Sequence, residues 1–229
     1  MQHLEEWNNS YKNKQNHLFY PDETIVRFLS RYFRKQIDHD TYVDLRSWDP
    51  VPRALDAGCG IGRHSVLLDR YGFLSYGIDG SDEAVAKARS WLTSLSKPSI
   101  NIVLGSLLNM PFESGFFDCV VSHAVLDSMS FLDATKSIRE IERVTAKNGL
   151  IYFDLISGSN VTNSLAFSGE QVVSTAHEFG TVQSYFTYEK IQRLLDGTNL
   201  KIVEASTITR ERVDLRETSR RWHIVCRRF

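Results

Sequence analysis

The sequence predicts an α/β fold: a doubly wound, mostly parallel sheet with an N-terminal helical cap and a C-terminal antiparallel hairpin. Three observations carry that prediction. From Val51 onward, short apolar runs alternate with segments of helical period, as in repeated βα units. A glycine-rich turn, Gly58-Cys59-Gly60-Ile61-Gly62, stands between the first of these runs and a helix-like stretch. Asp79 then closes the second run, 17 residues after Gly62, where an acidic side chain can take a ribose diol.

In chain order, residues 1–20 are polar but carry Trp7, Tyr11, Phe19 and Tyr20, and aromatics on a polar segment dock on a domain. Pro21-Asp22-Glu23 opens a helix whose Ile25, Phe28, Leu29, Tyr32 and Phe33 recur on one face. A polar connector, Lys35 to Pro50, leads to the core as a short helix or an ordered loop. Residues 52–57 form the first core strand, 61–71 a helix and 74–79 the second strand. Ser81-Asp82-Glu83-Ala84 reads as an N-cap with an acidic first turn, starting a helix to Leu95 that Pro98 breaks. Strands at 100–104 and 117–122, a helix at 133–145, a turn at Lys147-Asn148-Gly149 and a strand at 150–156 complete the core. Residues 157–183 are rich in Ser, Gly, Thr and Asn and lack a period; a stretch this long is often a lid or substrate loop. Thr187 caps a helix over 188–195, and 200–209 with 221–227 read as a hairpin at one sheet edge. One domain results, with a cap (1–45), a cofactor-binding core (50–160), a substrate-side segment (157–186) and a C-terminal helix and hairpin (187–229).

Charge and cysteine usage narrow the class. The 27 basic and 28 acidic residues leave a net charge of -1, so there is no electrostatic case for nucleic acid or an anionic membrane. The basic run at Arg210, Arg212, Arg216, Arg220, Arg221, Arg227 and Arg228 is interrupted by acidic residues and reads as a solvated hairpin or, alternatively, as a site for an anionic substrate. Cys59, Cys119 and Cys226 lack metal-ligand spacing and read as small buried hydrophobes in a reducing compartment, so no metal is expected. No apolar run reaches the roughly 20 residues of a membrane span, and the N-terminus lacks a signal-peptide pattern. A cytoplasmic enzyme is the simplest reading.

Two ligand classes fit a glycine turn followed by an acidic residue. The dinucleotide pattern places a third glycine where this chain has Arg63; here the glycines fall at 58, 60 and 62. Asp56, two residues before the first glycine, can take an ammonium group or hold the loop. The arrangement suits an amino-acid-bearing nucleoside better than a pyrophosphate.

On these residues the chain resembles the class I S-adenosylmethionine-dependent methyltransferases of small-molecule type. Leu55-Asp56-Ala57-Gly58-Cys59-Gly60-Ile61-Gly62-Arg63 resembles the family's first motif, and Gly77-Ile78-Asp79-Gly80-Ser81 its second. Gly105-Ser106-Leu107, Met110-Pro111-Phe112 and 116–122 resemble the block into the fourth strand; Arg143-Val144 with 149–153 resembles the turn into the fifth. The resemblance covers residues 50–160 well and 185–229 more loosely. It implies a Rossmann-like fold and methyl transfer from S-adenosylmethionine, leaving S-adenosylhomocysteine. It also implies cofactor contacts from Tyr11, Asp56, Gly58, Cys59, Gly60, Gly62, Arg63, Asp79, Gly80, Ser81, Ser106, Leu107, Ser122 and His123. Ser106 is a departure: the family often has Asp there, and a neutral hydroxyl accepts less strongly than a carboxylate.

Transfer from a sulfonium needs alignment, and a base only where the acceptor must lose a proton. His123 ends the fourth strand at the sheet's carboxyl edge and reads as that base, or as a group packed on the cofactor. Asp127 follows within a turn and can orient it. His177, Tyr185 and Phe186 line an acceptor pocket or anchor a lid. The expected acceptor is a small molecule, such as a hydroxyl of a sugar or other metabolite. The alternatives are a non-catalytic nucleoside-binding partner subunit and a nicotinamide-dependent oxidoreductase; Arg63 and the C-terminal hairpin speak against the latter.

Overall fold

The computed structural model describes residues 3–97, 100–158, 168–175, 178–215 and 217–229. Two helices, α1 (Leu4–Lys12) and α2 (Glu23–Tyr32), precede a small antiparallel pair, β1 (Arg34–Gln36) and β2 (Tyr42–Asp44). The 35–50 connector is thus a β-ribbon in part, rather than a helix. The core follows as β3 (Arg53–Ala57), α3 (Arg63–Arg70), β4 (Leu74–Asp79), α4 (Asp82–Ser94), β5 (Asn101–Leu104), β6 (Phe117–Ser122), α5 (Phe131–Val144) and β7 (Thr145–Ile156). A second small pair, β8 (Glu170–Val172) and β9 (Val182–Ser184), leads to α6 (Tyr188–Leu195) and the hairpin β10 (Leu200–Arg212) and β11 (Glu217–Arg228).

The main sheet has seven strands in the order β10-β11-β7-β6-β3-β4-β5. Strands β3 to β7 run parallel; β11 is antiparallel to β7, and β10 to β11. The chain winds outward from β3 to β5, then crosses back to β6 on β3's other side. Such a reversal opens a crevice at the carboxyl ends of the two central strands.

Strand residues alternate between two cores. Ala54, Cys119, Val121 and Tyr152 pack with Phe28, Leu29, Leu67 and Leu68 of α2 and α3. Leu55, Val120, Phe153 and Ile224 pack with Ile138, Ile141, Ile191 and Leu194 of α5 and α6. Helix starts follow local chemistry: Asp22, Ser81, Ser130 and Thr187 each cap a helix by accepting a backbone N–H. Pro98, expected to break α4, lies outside the described residues.

The expected turn at Lys147-Asn148-Gly149 lies inside β7 instead. Thr145 pairs with Phe117 and Leu150 with Cys119, so residues 146–149 bulge out opposite Asp118. Asn148 takes a positive φ of 65°, which is why the tripeptide reads as a turn although pairing resumes on both sides. All three cysteines are free and buried. Among the described residues no helix is long and apolar enough to cross a membrane.

Candidate functional site

The site begins where β3 ends. Gly58, Gly60 and Gly62 all have positive φ (80°, 53° and 88°), and the N–H groups of Gly58 and Cys59 both donate to Ile78 O of β4. A Cβ on Gly58 would stand 2.7 Å from Val125 Cγ1 and closer still to Cγ2. Gly58→Ala is therefore expected to destabilise the protein by about 1–3 kcal/mol in urea unfolding. Adding Val125→Ala should recover part of that loss; no recovery would place the cost elsewhere.

Gly62 caps α3 without a side chain, and Asp56 supplies the missing acceptor. Its Oδ2 accepts from Ser65 N and Ser65 Oγ, both at 2.9 Å. Burial pushes the Asp56 carboxyl up to about 6, with Ser65 offsetting only part of that. Between the unfolded carboxylate value near 3.9 and about 6, the folded chain keeps a proton that the unfolded chain has released. This residue's contribution to stability therefore falls as pH rises through that window. Asp56→Asn keeps an acceptor for Ser65 N and removes the titration. The variant should gain stability relative to wild type between pH 4 and 7, by up to about 3 kcal/mol in chemical denaturation. A gap that does not change with pH would contradict this account.

Asp79, at the end of β4, is held by the same loop. Its Oδ2 accepts from Gly60 N at 2.8 Å and its Oδ1 from Ser81 N at 2.9 Å. Ser81 Oγ donates to Asn8 Oδ1 at 2.5 Å, which docks α1 over the strand ends. Tyr11 of α1 reaches the glycine loop: a Cβ on Gly60 would lie 2.5 Å from its hydroxyl. Burial, reinforced by Asp79, raises the Tyr11 pKa and keeps the phenol protonated. Together these elements enclose a cavity. Its walls include Trp7 and Tyr11 from the cap, Gly58 to Ile61 from the loop, Asp79 to Ser81 at the end of β4, and His123 to Val125 just after β6. Glu178 closes it from the segment after β8, where Gly180 packs on Glu6 of α1.

His123 stands in this wall with both ring nitrogens engaged. Its Nε2 lies 3.3 Å from Asp22 Oδ2 and 3.8 Å from Asp154 Oδ2; its Nδ1 lies 3.4 Å from Arg63 Nη2. Burial alone would lower the His123 pKa, but Asp154 and Asp22 outweigh it and raise it. Behind Asp154, Arg221 of β11 bridges two carboxylates, with Nε to Asp154 Oδ2 and Nη2 to Asp127 Oδ2, both at 2.6 Å. Burial raises Asp127, while Arg221 and His123 overcome burial and lower Asp154.

Residues 55–153 match a family model described as a methyltransferase domain. Over these residues the chain is similar to methyltransferases. Over 107 residues the chain is 35% identical to the uncharacterized methyltransferase YodH of Bacillus subtilis (strain 168), covering 44% of this chain and 42% of that protein. Over 99 residues it is 33% identical to the ajmaline N-methyltransferase of Rauvolfia serpentina, covering 42% of this chain and 33% of the relative. A crystal structure of a SAM-dependent methyltransferase from Methanosarcina mazei shares the fold, with a TM-score of 0.67 at 20% identity, covering 78% of this chain and 92% of that one. The matched region spans 29% to 42% of the first curated relatives' own length.

The fold gathers most of the expected cofactor residues around one cavity: Tyr11, Gly58, Cys59, Gly60, Arg63, Asp79, Gly80, Ser81, Leu107 and His123. Ser106 lines an adjoining hollow with Leu4, Asn8, Gly80 and Asp82. Asp56, Gly62 and Ser122 line neither; Ser122 Oγ donates to Ala57 O and ties β6 to β3. Asp127 serves Arg221 and the Ile156 N–H rather than His123. Phe186 is fully buried in the core, and Tyr185 lies outside the cavity wall. His177 lies outside the described residues. The sequence reading missed Asp22 and Asp154 as partners of His123. It also read Arg221 as solvated. The available signal was position: β6 and β7 pair in parallel with Ser122 opposite Phe153, so the next residues, His123 and Asp154, emerge side by side.

Proposed function

We propose that the protein binds S-adenosylmethionine in this cavity and transfers its methyl group to a small-molecule acceptor. The observation that carries the reading is the joint exposure of the glycine loop, the Asp79 carboxylate and His123 to one cavity at the β3/β6 reversal. The residues fit the nucleoside chemically. Asp79 would hold a ribose hydroxyl, since its two oxygens keep acceptor capacity beyond the backbone N–H groups of Gly60, Ser81 and Gly80. Leu107 and Ser106 would border the base, and Tyr11 with the loop backbone the methionine end. When bound, the sulfonium supplies a methyl group already activated for in-line displacement. The chain's own part is alignment, worth roughly 7–11 kcal/mol of barrier in well-oriented systems, and exclusion of water under α1 and the 178–181 turn. The acceptor would lie beneath the cap and the substrate-side segment, and a hydroxyl of a sugar or other metabolite is the class favoured.

Calorimetry with S-adenosylmethionine, S-adenosylhomocysteine and NADH tests the reading. Both sulfur nucleosides should bind; binding of NADH alone would sink it. Binding of both with no transfer in a broad acceptor screen would favour a nucleoside-binding partner subunit. His123→Ala should lower turnover far more than nucleoside affinity, whereas equal losses in both would reduce His123 to packing.

A further inference from the structure

His123 is held more tightly than packing requires, and from several elements at once. Asp22, the cap of α2, has its Oδ1 fixed by Thr24 N (2.9 Å) and Thr24 Oγ1 (2.5 Å), which leaves Oδ2 for the ring. Thr24 Oγ1 in turn accepts from Tyr152 Oη at 2.8 Å, and Tyr152 Oη meets His223 Nδ1 at 2.6 Å. On the β7 side, Asp154 has Oδ1 on Ala124 N (2.7 Å) and Oδ2 on Arg221 Nε (2.6 Å). From α3 come Arg63 and His64. The His64 ring lies edge-on to His123 at 5.1 Å, and burial first, then His123 and Arg63, keep it neutral.

The third contact identifies the ring's tautomer. A guanidinium can donate but cannot accept, so the Arg63 bond to Nδ1 requires a bare lone pair there. The proton of the neutral ring is then on Nε2, facing Asp22. At 3.4 Å the Arg63 bond is long, and a hydroxyl at ordinary O–H···N distance would displace it.

We propose that Asp22 and Asp154 are positioning residues that fix His123 with Nδ1 as a hydrogen-bond acceptor in the cavity wall, where a hydroxyl of the methyl acceptor docks and gives up its proton. This deepens the methyltransferase reading and rests on it. In the step, an electron pair on the acceptor oxygen forms the new O–C bond. The S–C bond breaks with its pair left on sulfur. The hydroxyl proton passes to Nδ1, and the imidazolium, held between two carboxylates, returns it to water. An acceptor whose nucleophile carries no proton would not need this arrangement.

The test uses the full chain with 15N-labelled histidine, with and without saturating S-adenosylhomocysteine. In wild type the neutral His123 ring should show a bare Nδ1 and a protonated Nε2. Asp22→Asn should lower the ring's proton affinity about tenfold or more, and Asp22→Glu should restore most of it. Phenol, used as the hydroxyl probe, should shift the Nδ1 resonance saturably, whereas toluene should not. A neutral ring protonated on Nδ1, an unmoved titration in Asp22→Asn, or a phenol response absent or equal to that of toluene overturns the proposal. The tautomer and phenol readings need no variant, so they stand even where Asp22→Asn fails to fold. Absence of S-adenosylhomocysteine binding in calorimetry would strike the methyltransferase reading instead, because the ring titration is read without the nucleoside.

Discussion

Arg221→Met lowers the unfolding free energy by about 3–5 kcal/mol at neutral pH, the largest stability effect expected of any single substitution in the site. The arginine is the cation between Asp127 and Asp154, whose side chains are 1% and 0% exposed. Methionine keeps much of the stem's volume but leaves two carboxylates buried beside each other. Among the described residues Asp127 already has one oxygen without a partner, and burial raises its pKa, so it has no reserve of hydrogen bonds. The pH dependence follows from the sign of the change. Without the cation both folded carboxyl pKa values rise above their unfolded values. The deficit against wild type is then greatest at neutral pH and shrinks as pH falls toward about 4, where the unfolded carboxylates also take up protons. Urea unfolding at pH 5 and pH 7.5 measures it; an equal deficit at both values would mean that the loss is one of packing. A double variant, Arg221→Met with Asp127→Asn, should recover part of the stability at pH 7.5.

Asp79→Ala is expected to weaken S-adenosylhomocysteine binding by about 1.5–3 kcal/mol, roughly 10- to 150-fold in Kd by calorimetry, the range for hydrogen bonds to a charged group. Two effects combine here. The carboxylate would hold the ribose, and it also holds the Gly60 and Ser81 N–H groups at 2.8 and 2.9 Å. Asp79→Asn separates them. The amide oxygen can still serve one backbone N–H, but its NH2 group faces the other as donor against donor. Asp79→Asn should therefore fall between wild type and Asp79→Ala in affinity. Unchanged affinity in Asp79→Ala would remove this residue from the nucleoside.

The legible parts of the site were those written in adjacent residues. Glycine's dihedral freedom, a capping serine at 81 and an acid at a strand end are local facts, so the loop, the start of α4 and Asp79 could be read in order. His123 was legible for the same reason, since it follows the last residue of a strand. Its partners were not. Asp127 is four residues away and seemed the natural neighbour, yet the chain turns there and carries it to Arg221. Asp154 is 31 residues away in sequence but adjacent across the β6/β7 ladder, and Asp22 arrives from the cap. Phe186 follows a polar, aperiodic stretch that hides its part in the core.

Asp56 shows the limit of motif reading most clearly. Its place before the glycines allowed either a ligand contact or a loop support. The bonds to Ser65 give it a definite structural role, and it does not line the cavity.

The sequence by itself determined the order of the core strands and helices from β3 onward, the glycine loop and the acid that closes β4, because each depends on period or backbone freedom within a few residues; the small β1/β2 and β8/β9 pairs were not legible. Only the tertiary structure decided which charges meet: Asp22 and Asp154 at His123, and Arg221 between Asp127 and Asp154. Those pairings depend on strand register and on where α2 docks, and burial then makes each unpaired charge costly enough to hold the others in place.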